Sequence, residues 1–433
     1  MGSLRDGAVA AVSDTALLVA IDHSGNSGNS AKPLLKELAQ LVHAVGLRAA
    51  GSMVVRLRRP SPRLLVGSGK ASEILTEAQR LQAHCIVFDD ELSPSQQRNW
   101  ERLSGLAVID RHQVILDIFQ RRAATREAAL QVELAQLQYH LPRLTRAWTH
   151  LSRQHGGTRG TRGEGEKQLE NDRRAVLRRI TRVRHELQEL GGQRSTMSRR
   201  RHEVPVPSGA LVGYTNAGKS SLLRTLTGAD VLVADKLFAT LDPTTRRLEL
   251  PGGLAVVLTD TVGFVRKLPH DLVNAFHSTL EEAIEADFLI HVLDAADPQM
   301  LQHYQTTRSV LEQIGAGGRP VILAFNKIDL LADRETLRFV HHRCAAEHVA
   351  ASVEVSAHSG QGLAELVGAI EGILASSMPQ ARYRLPGNRH DLAALIHRTG
   401  TILRQEYQDD SFTVTARVPS RTRAILEPYL IEG

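Results

Sequence analysis

The sequence predicts a multidomain α/β protein in which a helical hairpin separates two larger α/β domains and a small α/β domain follows. Three observations predict this class. Apolar, strand-like stretches alternate with helical stretches from residue 16 to about residue 110. They do so again after residue 204, and the region between carries apolar residues at heptad spacing on both sides of a glycine-rich segment. The predicted domains are residues 1–114, 115–203, 204–378 and 379–433.

The N-terminal domain is predicted to contain a mostly parallel sheet. Its strand segments are "TALLVAID", "SMVVRLRR", "HCIVFDD" and "LAVIDR", and helices are predicted at Pro33–Val45, in "ASEILTEAQRLQA" and in "SPSQQRNWERLSG". Strands that alternate with helices in this way form parallel sheets through crossover connections. The segment "GSGK", Gly67–Lys70, resembles a phosphate-binding loop but lacks its spacing, so we predict a tight turn there.

The second domain is predicted to be an antiparallel helical hairpin, because two helical segments carry the same apolar spacing of 4, 3, 4 and 3 residues. The two apolar seams are Leu130, Leu134, Leu137, Leu141 and Leu144, and then Val176, Ile180, Val183, Leu187 and Leu190. Pro142 is expected to kink or end the first helix. The glycine-rich loop at residues 156–165 is expected at or near the tip of the hairpin.

The basic excess of the chain lies in this hairpin. The whole chain carries 53 Lys and Arg against 47 Asp and Glu, a formal net charge of +6, whereas residues 150–204 alone hold fourteen Lys and Arg against seven Asp and Glu. A solvated helix face is the simplest interpretation. The alternative is an RNA-binding tip, because glycine lets backbone amides approach a partner and arginine pairs with phosphates bidentately. On that alternative, the RNA-binding residues are Arg159, Arg162, Lys167, Arg173 and Arg174.

Composition favours a cytoplasmic protein. The two cysteines, Cys85 and Cys344, are too few for a disulfide framework, which fits a reducing compartment. The apolar run Ala16–Ile21 is far too short to cross a bilayer, and no basic-then-apolar signal peptide precedes it. We therefore expect a cytoplasmic monomer without a membrane span, and association with a membrane surface stays open.

A phosphate-binding loop is predicted in "ALVGYTNAGKSSLL", between a strand and a helix. Gly213, Gly218, Lys219 and Ser220 fit the pattern GxxxxGK[ST] in the required context. Backbone N–H groups of such a loop surround the phosphates, the lysine reaches the β- and γ-phosphates, and the serine binds Mg²⁺. The predicted nucleotide-binding residues here are Gly213, Tyr214, Thr215, Asn216, Ala217, Gly218, Lys219, Ser220 and Ser221.

A second motif, "DTVG", ends the next apolar strand. Asp260 is expected to hold Mg²⁺ through a water molecule, and the amide of Gly263 is expected to sense the γ-phosphate. The predicted nucleotide-binding residues of this motif are Asp260, Thr261, Val262 and Gly263. Between the two motifs, "DKLFATLDPTTRR" can supply a threonine to Mg²⁺ and the γ-phosphate, and spacing does not choose among Thr240, Thr244 and Thr245.

Two further motifs predict specificity for guanine. Guanine carries adjacent N1–H and N2–H donors that one carboxylate can accept together, and Asp329 in "NKID" is expected to be that acceptor. Adenine lacks the pair, so the site should reject ATP. The segment "VSAHSGQG" is expected to offer a backbone contact to the guanine oxygen. The predicted residues are Asn326, Lys327, Ile328 and Asp329, with Val355, Ser356 and Ala357. The four motifs occur in the order and spacing of a P-loop GTPase domain, with a parallel sheet and flanking helices.

Several stretches together resemble the HflX family of ribosome-associated GTPases. They are "RHQVILDIFQRRA", "LQVELAQLQYHLPRL", "RGEGEKQLENDRR", "GYTNAGKSSL", "LFATLDPTTR" and "DTVGFVRKLPHDLV", and the likeness covers the chain from about residue 16. The resemblance implies a GTP-hydrolysing factor that docks on the large ribosomal subunit and its RNA through the N-terminal domain and hairpin. It implies that the factor separates ribosomes into subunits, often under stress, and that the 156–165 loop probes ribosomal RNA.

The resemblance also assigns roles at the nucleotide. It selects Thr240 as the switch threonine, within a nucleotide-facing segment of Phe238, Ala239, Thr240, Leu241 and Asp242. The implied catalytic residues are Lys219, Thr240 and Gly263, and the implied Mg²⁺ ligands are Ser220, Thr240 and, through water, Asp260. Asn216 matches an asparagine that helps hold K⁺ in related GTPases. Phe264 stands where many GTPases place a water-orienting glutamine, so intrinsic hydrolysis should be slow and the ribosome should supply the missing group.

The chain departs from the family pattern in the loop, where Glu164 replaces proline and Lys167 replaces threonine. Two rival functions stay open at this point. One is an RNA-binding switch in which GTP controls RNA affinity and hydrolysis is incidental. The other is an RNA remodeller acting away from the ribosome, which would need strong ATP use, against the expectation from Asp329. The C-terminal segment is the least specific part of the resemblance, and its pattern predicts helix, strand and helix.

Overall fold

The computed structural model describes residues 15–23, 31–57, 59–144, 162–201, 206–228, 238, 242–251, 253–267, 277–331, 349–378, 380–408 and 411–432. The chain divides into two compact units, Met1–Leu187 and Gln188–Gly433. The predicted multidomain α/β class is confirmed. The predicted domain limits stay predictions, and the one between residues 114 and 115 falls inside a continuous helix, Arg111–Arg122.

The N-terminal sheet is parallel throughout, in the order β2-β1-β3-β4. Its elements are β1 (Thr15–His23), α1 (Ala31–Ala44), β2 (Arg48–Leu57), α2 (Ser68–Arg80), β3 (Cys85–Phe88), α3 (Pro94–Ser104) and β4 (Ala107–Asp110). The apolar run in β1 is buried because this strand lies inside the sheet with helices packed on it. Trp100 is fully buried and donates its indole N–H to the carbonyl of Leu64 at 2.8 Å, which fixes α3 on the core.

The tight turn predicted at Gly67–Lys70 is wrong, because this segment begins α2. Gly67 is the N-cap and Lys70 forms an ion pair with Glu73 at 2.7 Å. Ala71, Ile74 and Ala78 are buried on one face of the helix. Their spacing of three and four residues anchors the first turn to the core, and it outweighs the low helix propensity of the two glycines.

The predicted antiparallel hairpin is present as α5 (Arg126–His140) and α6 (Arg162–Arg201), preceded by α4 (Arg111–Arg122). Arg179 of α6 donates to both carboxylate oxygens of Glu133 at 2.6 and 2.7 Å. Arg126, at the start of α5, contacts Glu186 further along α6 at 3.3 Å, so the two helices run in opposite directions. Helix α5 ends at His140, and a short 3-10 turn carrying Pro142 follows.

Two details of the hairpin differ from the prediction. The most buried face of α5 carries Ala128, Val132, Ala135 and Tyr139, whereas in the predicted leucine seam Leu130 is buried but Leu134 and Leu137 are only half-buried. This face contacts α4 through Tyr139, whose ring lies against that of His112 with centroids 4.7 Å apart. The predicted loop also ends early, because residues 162–165 belong to α6. On α6 itself, Ile180 and Val183 are buried as the heptad pattern predicts.

The second unit contains a six-stranded sheet in the order β10-β9-β8-β5-β7-β6. Its elements are β5 (Ser208–Gly213), α7 (Lys219–Thr227), β6 (Thr244–Glu249), β7 (Ala255–Asp260), α8 (His277–Glu285), β8 (Phe288–Asp294), α9 (Met300–Gln313), β9 (Val321–Asn326), β10 (Val349–Glu354) and α10 (Leu363–Ser377). Strand β6 pairs antiparallel with β7, and the other pairs are parallel. Strands β5, β7 and β9 therefore deliver the loops that follow them to one edge of the sheet.

The prediction of helix, strand and helix for the C-terminal segment is incomplete, because the structure has two helices but four strands there. The structure has β11 (Gln380–Pro386), α11 (His390–Thr399), β12 (Thr401–Gln408), β13 (Ser411–Arg417), α12 (Ser420–Leu426) and β14 (Leu430–Glu432). These strands form an antiparallel sheet in the order β12-β13-β11-β14. The alternating burial of β11 is the period-two signal that the sequence analysis overlooked.

Candidate functional site

The loop between β5 and α7 needs glycine at both ends. Gly213 has φ +148°, and a Cβ there would lie 2.3 Å from the carbonyl oxygen of Val292. Gly218 has φ +93°, and a Cβ there would lie 2.2 Å from Nδ2 of Asn326. Both positions combine a left-handed backbone with a close approach, so only glycine closes the loop against its neighbours. The loop leads directly into the N-terminus of α7, and a glycine-rich loop before a helix start is the arrangement that binds phosphate.

Lys219 lies inside this loop. Its side chain is buried, and Nζ donates to the carbonyl oxygens of Gly213 at 3.1 Å and Tyr214 at 2.9 Å. Burial lowers the pKa of Lys219 to about 8, and the charge of Asp260 opposes that shift. The loop therefore holds an ammonium group that loses its proton at mildly basic pH.

This pKa predicts that the protein's affinity for a nucleoside triphosphate falls as the pH rises through 8. Phosphate binds the charged lysine, so binding must first protonate Lys219 once the pH exceeds its pKa in the free protein. We expect affinity to fall about twofold between pH 7 and 8 and roughly tenfold between pH 7 and 9. Titration of a fluorescent GTP analogue at each pH measures this. Lys219→Met should bind weakly without the pH dependence, and an equal dependence in both proteins would contradict the prediction.

Ser220 and Asp260 meet at the start of α7. The Ser220 hydroxyl donates to Oδ2 of Asp260 at 2.5 Å, and Asp260 is fully buried at the end of β7. A hydroxyl and a carboxylate are oxygen ligands of the kind that Mg²⁺ prefers. Next to them, the hydroxyl of Thr261 donates to the carbonyl of Leu211 at 2.7 Å, which fixes β7 beside β5. The donor set and the glycine cradle therefore fit a magnesium–phosphate group.

The "DTVG" segment lies directly against the phosphate loop. A Cβ on Gly263 would lie 2.8 Å from Cα of Thr215 and 3.0 Å from Nζ of Lys219. The amide of Thr215 donates to the carbonyl of Phe264 at 2.8 Å, and the amide of Phe264 donates to the carbonyl of Gly213 at 3.1 Å. Phe264 is 2% exposed. Its ring belongs to the core and has no group with which to orient water.

The base-recognition motifs are joined by Asn326. Its Nδ2 donates to the carbonyl of Ala217 at 2.9 Å, and its Oδ1 accepts from the amide of Ala357 at 2.9 Å. The side chain is 1% exposed. It therefore ties the phosphate loop to the "VSAHSGQG" segment, which is the other end of the predicted nucleotide site.

Asp329 follows in a 3-10 turn after β9. The hydroxyl of Ser356 donates to Oδ1 of Asp329 at 2.6 Å and itself accepts from the amide of Ser359 at 3.0 Å. Lys327 has φ +66° and forms an ion pair with Asp294 at 2.7 Å. The hydrogen bond from Ser356 orients the Asp329 carboxylate, as recognition of two adjacent N–H donors requires.

Comparison with known proteins identifies the family. Family models described as "GTP-binding GTPase N-terminal", "GTP-binding GTPase Middle Region" and "50S ribosome-binding GTPase" match residues 32–120, 122–201 and 208–327. A GTPase HflX of Akkermansia muciniphila is 45% identical over 427 residues, which are 97% of each chain. A GTPase HflX of Escherichia coli is 42% identical over 402 residues, which are 92% of this chain and 93% of that one.

The chain belongs to the HflX family of GTPases. It is therefore a GTPase that binds GTP and GDP, as the motifs predict. Among solved structures, a GTP-binding protein of Sulfolobus solfataricus in complex with GDP is 24% identical, with a TM-score of 0.45 over 83% of this chain and 98% of that one.

The switch segment of this HflX-family chain is described only in part. Ala239, Thr240 and Leu241 lie outside the described residues, whereas Phe238 is buried with φ +54°. Thr244 and Thr245, the two rivals of Thr240, lie in β6. The hydroxyl of Thr245 is 3.0 Å from that of Thr259 on β7, which engages it within the sheet.

Sequence reasoning missed the surroundings of Tyr214 in the phosphate loop. The Tyr214 ring stacks on His303 of α9, with ring centroids 3.7 Å apart and planes 10° apart. The Tyr214 hydroxyl accepts from the amide of Arg266 at 2.8 Å, and the Arg266 guanidinium donates to Gln302, also on α9. The phosphate loop and the segment after "DTVG" thus share one support. No local pattern marks His303, because the contact joins residues 89 positions apart.

The predicted RNA-binding residues are described unevenly. Arg173 and Arg174 are exposed on α6, and Arg174 forms an ion pair with Glu170 at 2.9 Å. Arg162 and Lys167 belong to α6, but their side chains lie outside the described part, as does Arg159 altogether. Asn216, the predicted K⁺ ligand, is exposed with φ +60°. In the described part of the chain, no helix is long and apolar enough to cross a bilayer.

Proposed function

We propose that this HflX-family GTPase docks on the large ribosomal subunit through its N-terminal domain and hairpin. In this proposal, a GTP-dependent cycle drives the dissociation or recycling of ribosomes. The description of the matching GTPase model as "50S ribosome-binding GTPase" supports the partner. Ribosomal RNA is the part of that partner which the hairpin would contact.

The observation that carries the proposal is the excess of exposed positive charge on α6. Between residues 170 and 192, the exposed arginines are Arg173, Arg174, Arg178, Arg182 and Arg184. The exposed acids in the same span are Glu170 and Glu189, whereas Asp172 and Glu186 are half-buried and Glu186 lies beside Arg126 and Arg179. A helix with five exposed arginines and two exposed acids over this span suits a phosphate backbone.

The nucleotide roles complete the proposal. Lys219 would bind the β- and γ-phosphates. Ser220, Thr240 and Asp260 would hold Mg²⁺, which would neutralise charge on the phosphates when bound. Gly263 would sense the γ-phosphate, and Asn216 would assist a K⁺ ion. Phe264, whose ring is buried, leaves water orientation to a group outside the chain. We place that group on the ribosome.

The test is GTP turnover with and without purified large ribosomal subunits across a salt series. We expect stimulation on the order of 10³-fold or more, as when an outside group completes such a site. We expect the stimulation to decline steeply with salt, and Arg173→Gln/Arg174→Gln to raise the subunit concentration needed for half-maximal turnover. Arg398→Gln/Arg423→Gln, which removes the same charge elsewhere, is the control.

Unchanged turnover on addition of subunits would contradict the proposal. It would leave the RNA-binding switch, in which hydrolysis is incidental, as the better account. Equal effects of the two double variants would reject the hairpin as the docking surface while leaving ribosome coupling intact.

A further inference from the structure

The C-terminal sheet has one covered face and one open face. The chain order strand–helix–strand–strand–helix–strand, with strands in the order β12-β13-β11-β14, is the split βαβ arrangement. Helices α11 and α12 cover one face, where Leu392, Ile396 and Leu426 pack on the strands. The core residues contributed by β11 and β13 are Ala381, Tyr383, Leu385, Phe412, Val414 and Ala416. The alternate residues of these strands therefore point to the other face.

The strand register shows which residues share the open face. Thr415 on β13 lies between Arg382 on β11 and Arg404 on β12. In the next row, Thr413 lies between Arg384 and Glu406. Arg417 occupies a third row, opposite Gln380 and Thr401. Side chains in neighbouring rows on one face stand about 7 Å apart along the strands.

This face carries more positive than negative residues. Its arginines are Arg382, Arg384, Arg404 and Arg417, and its one carboxylate on β11, β12 and β13 is Glu406. On β14, Glu432 is in register with Arg382. Glu406 lies 2.6 Å from Arg404 and 3.6 Å from Arg382, so both ion pairs depend on it. Within the described residues, Arg384 and Arg417 have no carboxylate partner. The Arg404 side chain is 75% exposed and that of Arg382 is 46% exposed.

A shallow cavity of about 450 Å³ lies on the same face. Arg382, Arg404, Glu406, Thr413 and Thr415 contribute to its lining. Guanidinium groups and hydroxyls lie side by side in this lining, so the cavity surface is rich in hydrogen-bond donors. Donors of this kind bind phosphate oxygens, and Arg does so bidentately.

We propose that the open face of the C-terminal sheet binds the phosphate backbone of double-stranded RNA. Protein interfaces rely on aromatic and apolar anchors, whereas Leu403 is the one large apolar side chain that borders the cavity here. Four-stranded sheets of this topology that bind unpaired RNA stack bases on aromatic residues of their open face. Among the described residues, the open face of β11, β12 and β13 carries no aromatic side chain, since Tyr383 and Tyr407 are in register with Val414 and Phe412 on the covered side. Contact with the backbone of a duplex fits that composition.

The test uses the full chain and a labelled RNA duplex of 16 base pairs, with binding followed by fluorescence anisotropy across a salt series. Arg384→Gln/Arg417→Gln removes the two arginines without a carboxylate partner. We expect the slope of log affinity against log salt to flatten by about two, so that fourfold more salt weakens the wild type roughly tenfold more than the variant. Arg398→Gln/Arg423→Gln changes the charge equally on the helix-covered side and should keep the wild-type slope.

Hydrogen exchange shows where the RNA duplex contacts the protein. We expect the duplex to slow exchange in peptides from β12 and β13, and this protection to disappear in Arg384→Gln/Arg417→Gln. A wild-type slope and wild-type protection in that variant would overturn the inference. Binding of poly-glutamate with the affinity of the duplex would also overturn it, in favour of an acidic protein partner. Because no ribosomes are present, failure here is distinct from failure of ribosome-stimulated turnover.

Discussion

Replacing Asp329 with Asn is expected to lower the affinity for GTP on the order of 10³-fold, because the site would lose the acceptor for two guanine N–H donors. The carboxylate is fixed before any ligand arrives, since Ser356 donates to its Oδ1 at 2.6 Å. An amide at this position presents one acceptor and one donor. The donor would face the N2–H group of guanine and repel it.

The same substitution predicts a change of preference. Xanthine has an N1–H donor next to a C2 carbonyl, so an amide can accept from the first and donate to the second. We therefore expect Asp329→Asn to bind xanthosine triphosphate better than GTP, while ATP stays weak for both proteins. Calorimetric titration with the three nucleotides measures this.

Ser356→Ala is the matched control for that experiment. It removes the hydroxyl that orients the carboxylate but keeps the acceptor, so the loss of GTP affinity should be about tenfold or less. Retention of wild-type GTP affinity by Asp329→Asn would show that the base is recognised elsewhere. Weak binding of all three nucleotides by a folded Asp329→Asn would equally contradict the predicted exchange of preference.

The nucleotide site was predictable from sequence because its functional residues lie in short continuous segments. A strand end, a glycine-rich turn and a helix start occupy a dozen residues, so Gly213, Gly218 and Lys219 are found by spacing alone. The parallel sheet then brings distant motifs to one edge, which is why Ser220 and Asp260 meet although 40 residues separate them.

Contacts that no repeat or motif encodes could not be predicted. In the N-terminal unit, Arg111 is 2% exposed and donates to Asp89 and Glu37, each at 2.7 Å. Burying this charge is tolerated only because both partners are present, and they lie 22 and 74 positions away. Nearby, Arg143 stacks on the ring of Tyr139 at 3.5 Å and contacts Asp110, which anchors the end of α5 to the sheet.

The predicted leucine seam of α5 matches the buried face only in part, for a different reason. Heptad spacing identifies an apolar stripe, but a helix that contacts two neighbours has two stripes. Ala128 and Ala135 form part of the more buried one, and alanine carries little weight in a pattern search. These buried positions therefore have a weak sequence signal.

Replacing Asn326 with Ala is expected to impair both ends of the nucleotide site at once. The substitution removes the partners of the Ala217 carbonyl and of the Ala357 amide, which the Asn326 side chain contacts at 2.9 Å each. Leaving two buried polar groups without partners costs roughly 2 to 5 kcal/mol. We expect part of that cost to appear as a loss of GTP affinity of about 100-fold, since about 2.8 kcal/mol corresponds to that factor.

Two measurements separate a local effect from unfolding. Hydrogen exchange should speed up in peptides covering residues 217–219 and 355–357, while the N-terminal sheet keeps its protection. Gly218→Ala disturbs the same contact from the opposite side, because its Cβ would lie 2.2 Å from Nδ2 of Asn326, and it should reproduce the loss of affinity. Asn99→Ala, which removes a single side-chain contact to the carbonyl of Arg63, should change neither readout. A folded Asn326→Ala protein with wild-type GTP affinity would show that the phosphate loop holds its shape without this bridge.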